Sequence, residues 1–540
     1  MEATSVYGIA AGGIFIVLVS VRLISLLLRY TSVVSVWIAI HLIYPYLLGR
    51  HRLVGPWTRV SVIGHLIYVA ANVFVLCFQP STIANIGHRA GRLSLINMAV
   101  LFAGSPLVYL ADIIGVSLRA SRRIHRATAW MSGMLLACHV TIMVIMGWGD
   151  FNIQKIDNIF AIIGAGVLGA ILFCSLPFLR CHAYEVFLRG HQGLAGLLLY
   201  ATWRHLSSHH STSRLFLIII FGVFLLMLVL QVLHLLYRNG IFSSRGRPRA
   251  LVARLSNEDK KEKGDEKKAN QAKKQKATRP VSVLVNLSRP MKLDAGQYIY
   301  LSLPSLTFWS WLQSHPFTVI SWSNQEQDTL ELFIQPRRGF SADLLRAAEG
   351  GPVSFPAYIT GPHGISEPVD QYESVLAIAT DFGVAAVIPY FRKLIDNRNK
   401  SVARARRLHF VWQVQTRDIA IAGQSLLNSL LEHDEDDTLH KRSILTISLF
   451  VKSGSSAENM LFLGDHKRAF IHCEEPNYRE IIEAEASGQH ITSLSNSEEA
   501  RGESLVMVSA TDKLRDEIRF IVRDHLADRM RLTELEYQPL

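Results

Sequence analysis

Four histidines in two apolar stretches have the spacing of a paired metal-ligand set. His125 and His139 lie fourteen residues apart, and so do His191 and His205. Fourteen residues are almost four turns of an α-helix, so both members of a pair point the same way, roughly 21 Å apart along the axis. On two adjacent helices His125 would face His191 at one level. His139 would face His205 at the other. Each level would clamp an iron between two imidazole nitrogens, which predicts two stacked haems.

A structural role is the alternative for each histidine taken singly, because a lone histidine on an apolar helix usually packs or forms a hydrogen bond. His51 and His65 have the same interval, but Gly55 and Pro56 interrupt that segment, so these two do not share one continuous helix. The two pairs described above lie in stretches that resemble membrane helices, where a polar group is costly unless it has a function. The matched pairs therefore favour haem ligation.

Three runs of sequence around these histidines resemble the ferric-reductase transmembrane domain. They are Arg-Arg-Ile-His-Arg at 122–126, Tyr-Glu-Val-Phe-Leu-Arg-Gly-His at 184–191 and Leu-Tyr-Ala-Thr-Trp-Arg-His at 199–205. Metalloreductases and superoxide-forming NADPH oxidases share that domain. The resemblance implies two b-type haems held by the four histidines, with electrons crossing a membrane. Arg204, beside one of the histidines, either pairs with a haem propionate, polarises an acceptor or anchors the helix at the interface.

The composition is typical of a membrane protein with more than one domain. The 540 residues are 49% hydrophobic, and the mean hydropathy is +0.22. The formal charge of +12 indicates basic cytoplasmic loops, and the absence of a recognisable binding motif argues against nucleic acid as a partner. The five cysteines show neither zinc-site spacing nor a disulfide framework.

Seven stretches are long and apolar enough to be predicted as membrane spans. Val33–Leu48 is also apolar, but it is short and contains Pro45, so we expect it to be interfacial or re-entrant. The predicted spans are Ser5–Leu28, Val60–Phe78, Met98–Leu118, Ile124–Trp148, Ile156–Leu179, His191–Leu206 and Leu215–Tyr237.

Basic residues between the spans predict the orientation. Four clusters fall on the cytoplasmic side if the N-terminus is outside, although Arg89 and Arg92 fall on the other side. The chain is then an integral protein, with the plasma membrane as its expected location and its soluble half in the cytosol. The inner haem would lie toward the cytoplasm and the outer haem toward the exterior. The four clusters are Arg29, Arg50, Arg52 and Arg59; Arg119, Arg122, Arg123 and Arg126; Arg180 and Arg189; and Arg238, Arg245, Arg247 and Arg249.

After Tyr237 the sequence changes to alternating strands. Arg247–Leu255 and Val281–Leu287 are predicted strands of a barrel, separated by Ser256–Thr278. That separator consists almost wholly of charged residues, amides and alanine, which cannot bury a core. We expect a solvated, disordered insertion, and contact with anionic lipid headgroups is the alternative.

The run His315-Pro-Phe-Thr318 is the first candidate flavin site. Read alone, it is a short strand entry with a rigid proline. In the ferredoxin-reductase-like flavin domains that accompany this membrane domain, however, the same motif holds FAD. The resemblance therefore implies that His315, Pro316, Phe317 and Thr318 bind FAD, with the Thr318 hydroxyl and the neighbouring backbone meeting the isoalloxazine and phosphate.

A second candidate flavin run, Gln-Pro-Arg-Arg-Gly-Phe-Ser at 335–341, leads into a predicted helix, Ala342–Ala348. A helix N-terminus with two nearby arginines suits a pyrophosphate, although an ordinary serine-capped helix would have the same sequence. The predicted phosphate-binding residues are Arg337, Arg338, Gly339 and Ser341.

Further along, Ser374–Thr380 and Val384–Leu394 predict the first strand–turn–helix unit of a nucleotide-binding domain. The family pattern at this turn is Gly-Gly-x-Gly. Here the turn is Thr-Asp-Phe-Gly at 380–383, which keeps only Gly383. Asp381 is expected to cap the helix, and its charge stands where an anionic nucleotide would approach.

The last third departs from the family pattern a second time. The family's Cys-Gly-Pro signature appears as Ser-Ala-Thr at 509–511, between a predicted strand, Leu505–Ala510, and a predicted helix, Asp512–Leu526. Predicted strands Leu408–Gln415 and Ile444–Val451 still support an α/β fold. NADPH is the expected donor, at a degenerate site, and Tyr537 is expected either to cover the flavin or to lie in an exposed tail.

Together these features predict three domains: a polytopic α-helical membrane domain with a two-haem core at 1–240, a ferredoxin-reductase-like β-barrel that binds FAD at 241–365, with the insertion at 256–278, and an α/β NAD(P)-binding domain with degenerate motifs at 366–540.

The expected activity is that of a ferric-chelate reductase, with external ferric or cupric chelates as acceptors. His209 and His210, external in this layout, lean slightly toward metal capture, although an ordinary solvated loop would have the same sequence. The alternatives are a superoxide-forming NADPH oxidase and a haem-bearing scaffold with a decayed nucleotide site or another donor. The oligomeric state is not indicated.

Overall fold

The computed structural model divides the chain into two compact units, Met1–Gln231 and Val232–Leu540. The division falls inside the last apolar helix, so the final turns of that helix belong to the second unit. The structure describes residues 32–538 except 52–54, 80–81, 104–106, 148–151, 153, 177, 179–183, 207–210, 241–242, 244, 256–279, 436–442, 453–460, 463–467 and 489–501. The predicted first span, the charged insertion and the histidine pair at 209–210 lie outside the described residues.

The first unit is mainly helical. A short helix, α1 (Ser32–Ile38), runs into a π-helical turn, Ala39–Ile43, and is followed by the strand pair β1 (Tyr46–Leu48) and β2 (Trp57–Thr58). This segment therefore does not form one long helix. The remaining helices are α2 (Arg59–Cys77), α3 (Ile83–Ala103), α4 (Leu107–Ile114), α5 (Leu118–Gly147), α6 (Ile156–Cys174), α7 (Tyr184–His205) and α8 (Ser211–Arg238).

Within the described residues, four helices are long and apolar enough to cross a membrane by length and composition. They match four of the predicted spans. The predicted span His191–Leu206 lies in α7, which begins seven residues before His191 and is not among these four. The full number of spans stays a prediction. The four helical stretches are Arg59–Cys77, Leu118–Met146, Ile156–Cys174 and Thr212–Arg238.

The predicted span Met98–Leu118 is wrong as a single helix. α3 ends at Ala103, and α4 covers only Leu107–Ile114. Residues 115–117 are not helical, and Gly115 has a φ of +68°, so α4 ends before Leu118. The apolar stretch instead belongs to a helix that begins at Ile83, a segment that the hydropathy pattern did not identify.

Small residues allow α3 to pack closely along α5. The Ser94 hydroxyl donates to the Ser132 carbonyl oxygen at 2.9 Å, and the Ser132 hydroxyl donates to the Ser94 carbonyl oxygen at 3.1 Å. Such reciprocal bonds satisfy polar groups within apolar surroundings and hold two backbones together. α6 packs along α7 in the same unit, so the two histidine-bearing helices, α5 and α7, have different main packing partners.

The second unit begins with two antiparallel sheets. The four-stranded sheet has the order β7-β4-β3-β8, and the three-stranded sheet has the order β6-β5-β9. Their inward side chains form one apolar core, against which the helix α9 (Phe340–Ala347) also packs. The strands are β3 (Arg249–Arg254), β4 (Val281–Met291), β5 (Tyr298–Ser302), β6 (His315–Thr318), β7 (Gln327–Ile334), β8 (Val353–Pro356) and β9 (Tyr358–His363).

The C-terminal part of this unit is a seven-stranded sheet with the order β13-β14-β12-β11-β10-β15-β16. All its neighbouring strands are parallel except β13 and β14. The strands are β10 (Ser374–Thr380), β11 (Arg407–Val414), β12 (Leu445–Val451), β13 (Leu461–Phe462), β14 (Ala469–His472), β15 (Ser504–Ser509) and β16 (Met530–Glu534). The helices are α10 (Val384–Asn399), α11 (Arg417–Glu435), α12 (Tyr478–Ser487) and α13 (Asp512–Asp524).

The continuous apolar runs of β10 and β15 are explained by their central positions in this sheet. Six of the seven residues of β10 are buried, and all six residues of β15 are buried. Parallel strands covered on both faces have such runs instead of an alternating pattern. The predicted strands of this sheet are confirmed to within one residue, as is the strand–turn–helix order at 374–399, whereas β4 of the antiparallel region runs four residues beyond its predicted end at Leu287.

Candidate functional site

The first pair of histidines faces one another in the helical unit. The ring centroids of His125 on α5 and His191 on α7 are 6.3 Å apart. The Nδ1 atoms of both rings are buried and have no hydrogen-bond partner among the described residues. Orphaned buried nitrogens are rare in proteins, so this position has the character of a ligand site.

The separation of the two rings fits a shared metal. A metal–imidazole bond is about 2.0–2.1 Å long and a ring centroid lies about 1.1 Å from each ring atom, so two imidazoles on opposite sides of one metal place their centroids about 6.3 Å apart. The observed distance equals this value. The spacing of His125 and His191 is therefore one at which both imidazoles would hold the same haem iron.

The other two histidines are oriented by backbone carbonyl groups. His139 Nδ1 lies 2.8 Å from the Gly87 carbonyl oxygen, and His205 Nδ1 lies 3.0 Å from the Asp157 carbonyl oxygen. A carbonyl oxygen can only accept, so each Nδ1 carries the proton and each Nε2 has a free lone pair. Such a second bond fixes the ring orientation of a metal-ligating histidine. His139 and His205 thus have the tautomer required of axial ligands.

Two glycines of α3 bring the backbone against His139. A Cβ atom at Gly91 would lie 3.0 Å from His139 Nδ1, and a Cβ atom at Gly87 would lie 2.4 Å from the end of the Met143 side chain. The small residues therefore let the Gly87 carbonyl oxygen reach the His139 ring. Any larger residue at position 91 would clash with that ring. This contact was not predicted, because α3 was not recognised as a helix.

Arg204 lies beside His205 but is engaged locally. Its guanidinium carbon lies 4.9 Å from the centroid of the Phe160 ring, and Nη1 donates to the Tyr200 hydroxyl at 3.3 Å. Both contacts are with residues that flank the helix ends. They favour the interfacial-anchor role among the three that the sequence left open.

The predicted flavin strand, β6, is the edge of the three-stranded sheet and pairs with β5. His315 stacks on Phe340 of α9 with the ring centroids 4.7 Å apart, and Phe317 is buried in the same core. Burial lowers the pKa of His315 to about 4, so the imidazole is neutral near pH 7. The motif therefore joins the sheet to α9, and the side chain of Thr318 lies at its end.

The chain terminus contacts the residues predicted to hold FAD. The Thr318 hydroxyl donates to the Glu536 carbonyl oxygen at 3.1 Å. Arg337 Nη2 lies 2.8 Å from the Tyr537 hydroxyl, which itself donates to Gln335 Oε1 at 2.7 Å. Of the two roles expected for Tyr537, covering the flavin site agrees better with these contacts, because a free tail would make none of them.

The predicted phosphate-binding turn differs from expectation in one respect. Ser341 does not cap α9. The helix begins at Phe340 after Gly339, whose φ of +65° suits glycine, while the Ser341 hydroxyl accepts from the Arg337 N–H at 2.9 Å. Arg337 and Arg338 are exposed, and no atom lies within 4 Å of the position that a Cβ at Gly339 would take. The turn thus fits an anionic group.

Asp381 does not cap the helix α10, contrary to the prediction. It lies in a 3₁₀ turn with φ +46°, and its Oδ1 accepts from the Gln415 N–H at 2.8 Å. Its carbonyl oxygen accepts from Trp412 Nε1 at 2.8 Å. The left-handed backbone turns this residue toward the end of the neighbouring strand, β11, and away from the start of the helix. Burial raises the pKa of Asp381, and the hydrogen bond from Gln415 opposes that shift.

Gly383 is required by packing between backbones. A Cβ atom there would lie 1.9 Å from the Ser509 carbonyl oxygen at the end of β15. The Ser509 hydroxyl oxygen is buried and has no hydrogen-bond partner in the described part of the chain. Beside it, the Thr380 hydroxyl accepts from the Thr511 N–H at 3.2 Å. The two segments that depart from the family pattern therefore meet at the carboxyl ends of β10 and β15, which are neighbouring strands of the sheet.

Family models match two parts of this chain. Residues 90–202 match the ferric reductase like transmembrane component, and residues 271–365 match an FAD-binding domain. The first range contains all of His125, His139 and His191 and ends three residues before His205. The second contains β6 and the turn at 335–341.

Named relatives match over longer ranges. The ferric/cupric reductase transmembrane component 2 of Saccharomyces cerevisiae is 24% identical over 413 residues, which are 70% of this chain and 50% of that protein. NADPH oxidase 1 of Rattus norvegicus is 27% identical over 172 residues, 31% of this chain and 29% of the oxidase. The chain spans about half the length of the yeast reductases that it matches.

Among solved structures, the ferredoxin reductase in carbazole 1,9a-dioxygenase resembles 54% of this chain and 69% of its own, with 13% identity and a TM-score of 0.34.

Proposed function

We propose that this chain, parts of which match the ferric reductase like transmembrane component and an FAD-binding domain, carries electrons from cytosolic NAD(P)H through FAD and two b-type haems to an external metal ion. The observation that supports this best is the set of four histidines. Two rings stand at the separation expected for a shared iron, and two have the tautomer that leaves Nε2 free.

In the proposed arrangement His125 and His191 hold the inner haem, and His139 and His205 hold the outer one. Bound haem supplies one-electron chemistry, and bound FAD converts a hydride into single electrons. The chain supplies position. The carbonyl groups of Gly87 and Asp157 fix the two outer imidazoles, and the apolar helices exclude water from the space between the levels.

On the cytosolic side, His315, Pro316, Phe317 and Thr318 would hold the flavin, together with the turn Arg337–Ser341. Thr318 offers a hydroxyl donor, and Arg337 and Arg338 offer positive charge at the start of α9. The neutral state of His315 keeps a charge out of the apolar core beneath the motif. Because the terminal residues Glu536 and Tyr537 already bond to this set, flavin binding would have to replace two hydrogen bonds.

The donor site is proposed for the edge where β10 and β15 end, with Gly383 allowing close approach of the backbone. Asp381 opposes an anionic nucleotide there, so we propose NADPH as the donor with weaker binding than glycine at this position would give. If neither NADPH nor NADH is oxidised, the third reading, a haem-bearing scaffold fed by another donor, replaces this one.

Ferric or cupric ions are the proposed acceptors, and oxygen is the second candidate. The match to the yeast ferric/cupric reductase covers 70% of this chain, whereas the match to the rat oxidase covers 31%. The wider match favours metal reduction. Plasma-membrane placement with an external N-terminus completes the proposal, and it rests on the basic clusters of the sequence.

An acceptor panel on the purified full chain tests the function. The protein, loaded with haem and FAD and supplied with NADPH, would be given a ferric chelate, a cupric chelate, or oxygen with superoxide detection. We expect metal reduction at least tenfold faster than superoxide formation. The reverse ratio would assign the chain to the oxidases, and reduction of neither acceptor would favour the scaffold.

Thr318→Ala tests the flavin residues separately. Loss of a hydrogen bond of about 1–1.5 kcal/mol would weaken FAD binding roughly tenfold while leaving the haem spectrum unchanged. Ser354→Ala is the matched control, because that hydroxyl bonds to Arg249 on the other sheet. Equal flavin content in both variants would return the motif to a structural role.

A further inference from the structure

A loop of the antiparallel region presents three large aromatic side chains to solvent. Phe308, Trp309 and Trp311 are 80%, 63% and 61% exposed. They lie between β5 and β6, close to the flavin motif, but none of the residues assigned to FAD requires them. Aromatic residues of this size dominate the energetics of interfaces, and a cluster of them in water is uncommon.

The loop is held in a fixed shape that turns these rings outward. Ser310, between the two tryptophans, is fully buried. Its hydroxyl oxygen accepts from the Thr307 N–H at 3.0 Å, and its own N–H donates to the Thr307 carbonyl oxygen at 3.1 Å. Gln313 N–H then donates to the Ser310 carbonyl oxygen at 3.1 Å. The exposed rings are therefore presented by an anchored turn.

The loop leaves the sheet beside the end of the last apolar helix. Asn239, directly after α8, bonds to both backbone groups of Ile359 in β9: Nδ2 donates to its carbonyl oxygen at 2.9 Å, and its N–H donates to Oδ1 at 2.8 Å. In the paired strands, Leu301 of β5 is opposite Ile359, and Ser302 is opposite Tyr358. The loop that carries the three aromatic residues starts directly after Ser302. It therefore leaves the sheet next to β9, the strand that Asn239 bonds to the helix end.

Positive charge surrounds the same junction. The segment 238–249 contains four arginines and no acidic residue. Arg247 and Arg249 are exposed, and Arg289 lies over the ring of Tyr237 at 4.3 Å from its centroid. Basic residues just beyond a membrane helix attract anionic headgroups.

We propose that Phe308, Trp309 and Trp311 insert into the headgroup region of the cytoplasmic leaflet and hold the flavin domain against the bilayer. Tryptophan is enriched at this depth because its ring is apolar and its indole N–H is polar. The helix end fixes this edge of the sheet at the membrane surface, and the arginines complement anionic phospholipid. The occupant is thus a lipid surface.

Fluorescence quenching by brominated lipid tests the proposal on the full chain. The protein would be placed in nanodiscs of phosphatidylcholine and phosphatidylserine at a ratio of about seven to three, with or without 6,7-dibromo lipid. The variant is Trp309→Phe/Trp311→Phe, which keeps an aromatic ring at each position. Its matched control is Trp322→Phe, because Trp322 packs against the core of the parallel sheet. Subtracting the emission of the double variant from that of the native chain gives the emission of Trp309 and Trp311. The same subtraction with the control variant gives the emission of Trp322.

We expect brominated lipid to reduce the emission of Trp309 and Trp311 at least twofold and to leave that of Trp322 unchanged. Omitting phosphatidylserine should lessen the quenching if the arginines contribute. Unquenched emission overturns the proposal. In that case, loss of flavin from the double variant would show that the aromatic rings contact FAD. Retained flavin, together with rings that acrylamide does not quench, would show that a protein surface covers them.

Discussion

The outer histidines, His139 and His205, differ from the proposed donor site at the carboxyl ends of β10 and β15 in how their polar side chains are bonded. His139 and His205 each use one ring nitrogen on a backbone carbonyl and keep the other free. At the carboxyl end of the parallel sheet, the Asp381 carboxylate already accepts from the Gln415 N–H, just after β11, and the Thr380 hydroxyl accepts from the Thr511 N–H, just before α13. The two imidazoles are held in place and each still has a ring nitrogen that can bind a ligand. Asp381 and Thr380, which depart from the family pattern, already accept hydrogen bonds from other parts of the chain.

This difference separates two ways in which a protein holds a cofactor. Ligand atoms fixed in advance lose little entropy on binding, so the histidine region is suited to tight and permanent occupancy. Groups that bond to each other in the free protein must exchange partners, which lowers affinity. A donor that binds and leaves in each cycle tolerates such exchange, whereas a resident haem would not.

The largest expected effect is on the outer histidines. His139→Leu removes the free Nε2 and should reduce the haem content from two to one per chain, with loss of external metal reduction. Pyridine haemochrome assays on purified protein measure the ratio. His65→Leu is the control, because that ring bonds to the Ser61 carbonyl of its own helix and should leave two haems in place. Two haems in the His139 variant would contradict the assignment.

A second test concerns pH and the flavin strand. The pKa of His315 is lowered from 6.5 to about 4 by burial, so the folded chain resists a proton that the unfolded chain accepts. The free energy of unfolding should fall as the pH drops from about 6.5 to 4, by roughly 3 kcal/mol in total.

His315→Gln should flatten this part of the stability profile, measured as the urea midpoint of flavin release. Parallel curves for the native chain and the His315 variant between pH 6.5 and 4 would show that the imidazole is protonated in the fold.

A third test probes how the His139 ring is held. Gly91→Ala would place a methyl group 3.0 Å from Nδ1 and force the ring or the helix to shift. Overpacking of this kind costs about 1–3 kcal/mol, so outer-haem binding should weaken by tens of fold, and the low-spin electron paramagnetic resonance signal should move.

Gly166→Ala on α6 is the matched control, since nothing lies within 4 Å of its Cβ position and alanine favours a helix. If both alanine variants keep the native haem ratio and signal, Gly91 does not position the ring.

The smallest expected effect is at the donor edge. Thr380→Gly/Asp381→Gly removes a charge from an approach route and replaces a left-handed aspartate with the residue that adopts φ +46° freely. A charge near a helix terminus is worth about 0.3–1 kcal/mol, so the Michaelis constant for NADPH should fall about two- to fivefold. Reduction of the haems by dithionite should not change.

Asp381→Asn separates charge from conformation, since asparagine can still accept from Gln415 and tolerates the left-handed backbone. It should give the part of the gain that is due to charge. No gain in either variant would limit Asp381 to its contact with β11.

The sequence by itself determined the features that depend on local periodicity. The fourteen-residue intervals place His125 and His191 on corresponding positions of two helices, and the apolar run Ser374–Thr380 identifies a buried parallel strand. The contact between His125 and His191 and the strand boundaries follow from these patterns. The sequence also showed that Thr380 and Asp381 depart from a glycine turn.

Only the tertiary structure decided what those residues contact. The partner of His139 is Gly87, fifty-two positions away on a helix that the hydropathy pattern missed. Asp381 was expected to cap its own helix, but a positive φ directs it to Gln415, directly after the neighbouring strand β11. Thr318 bonds to Glu536, at the far end of the chain. Local propensity fixes where helices and strands lie, whereas hydrogen-bond partners depend on which backbone groups packing leaves within about 3 Å.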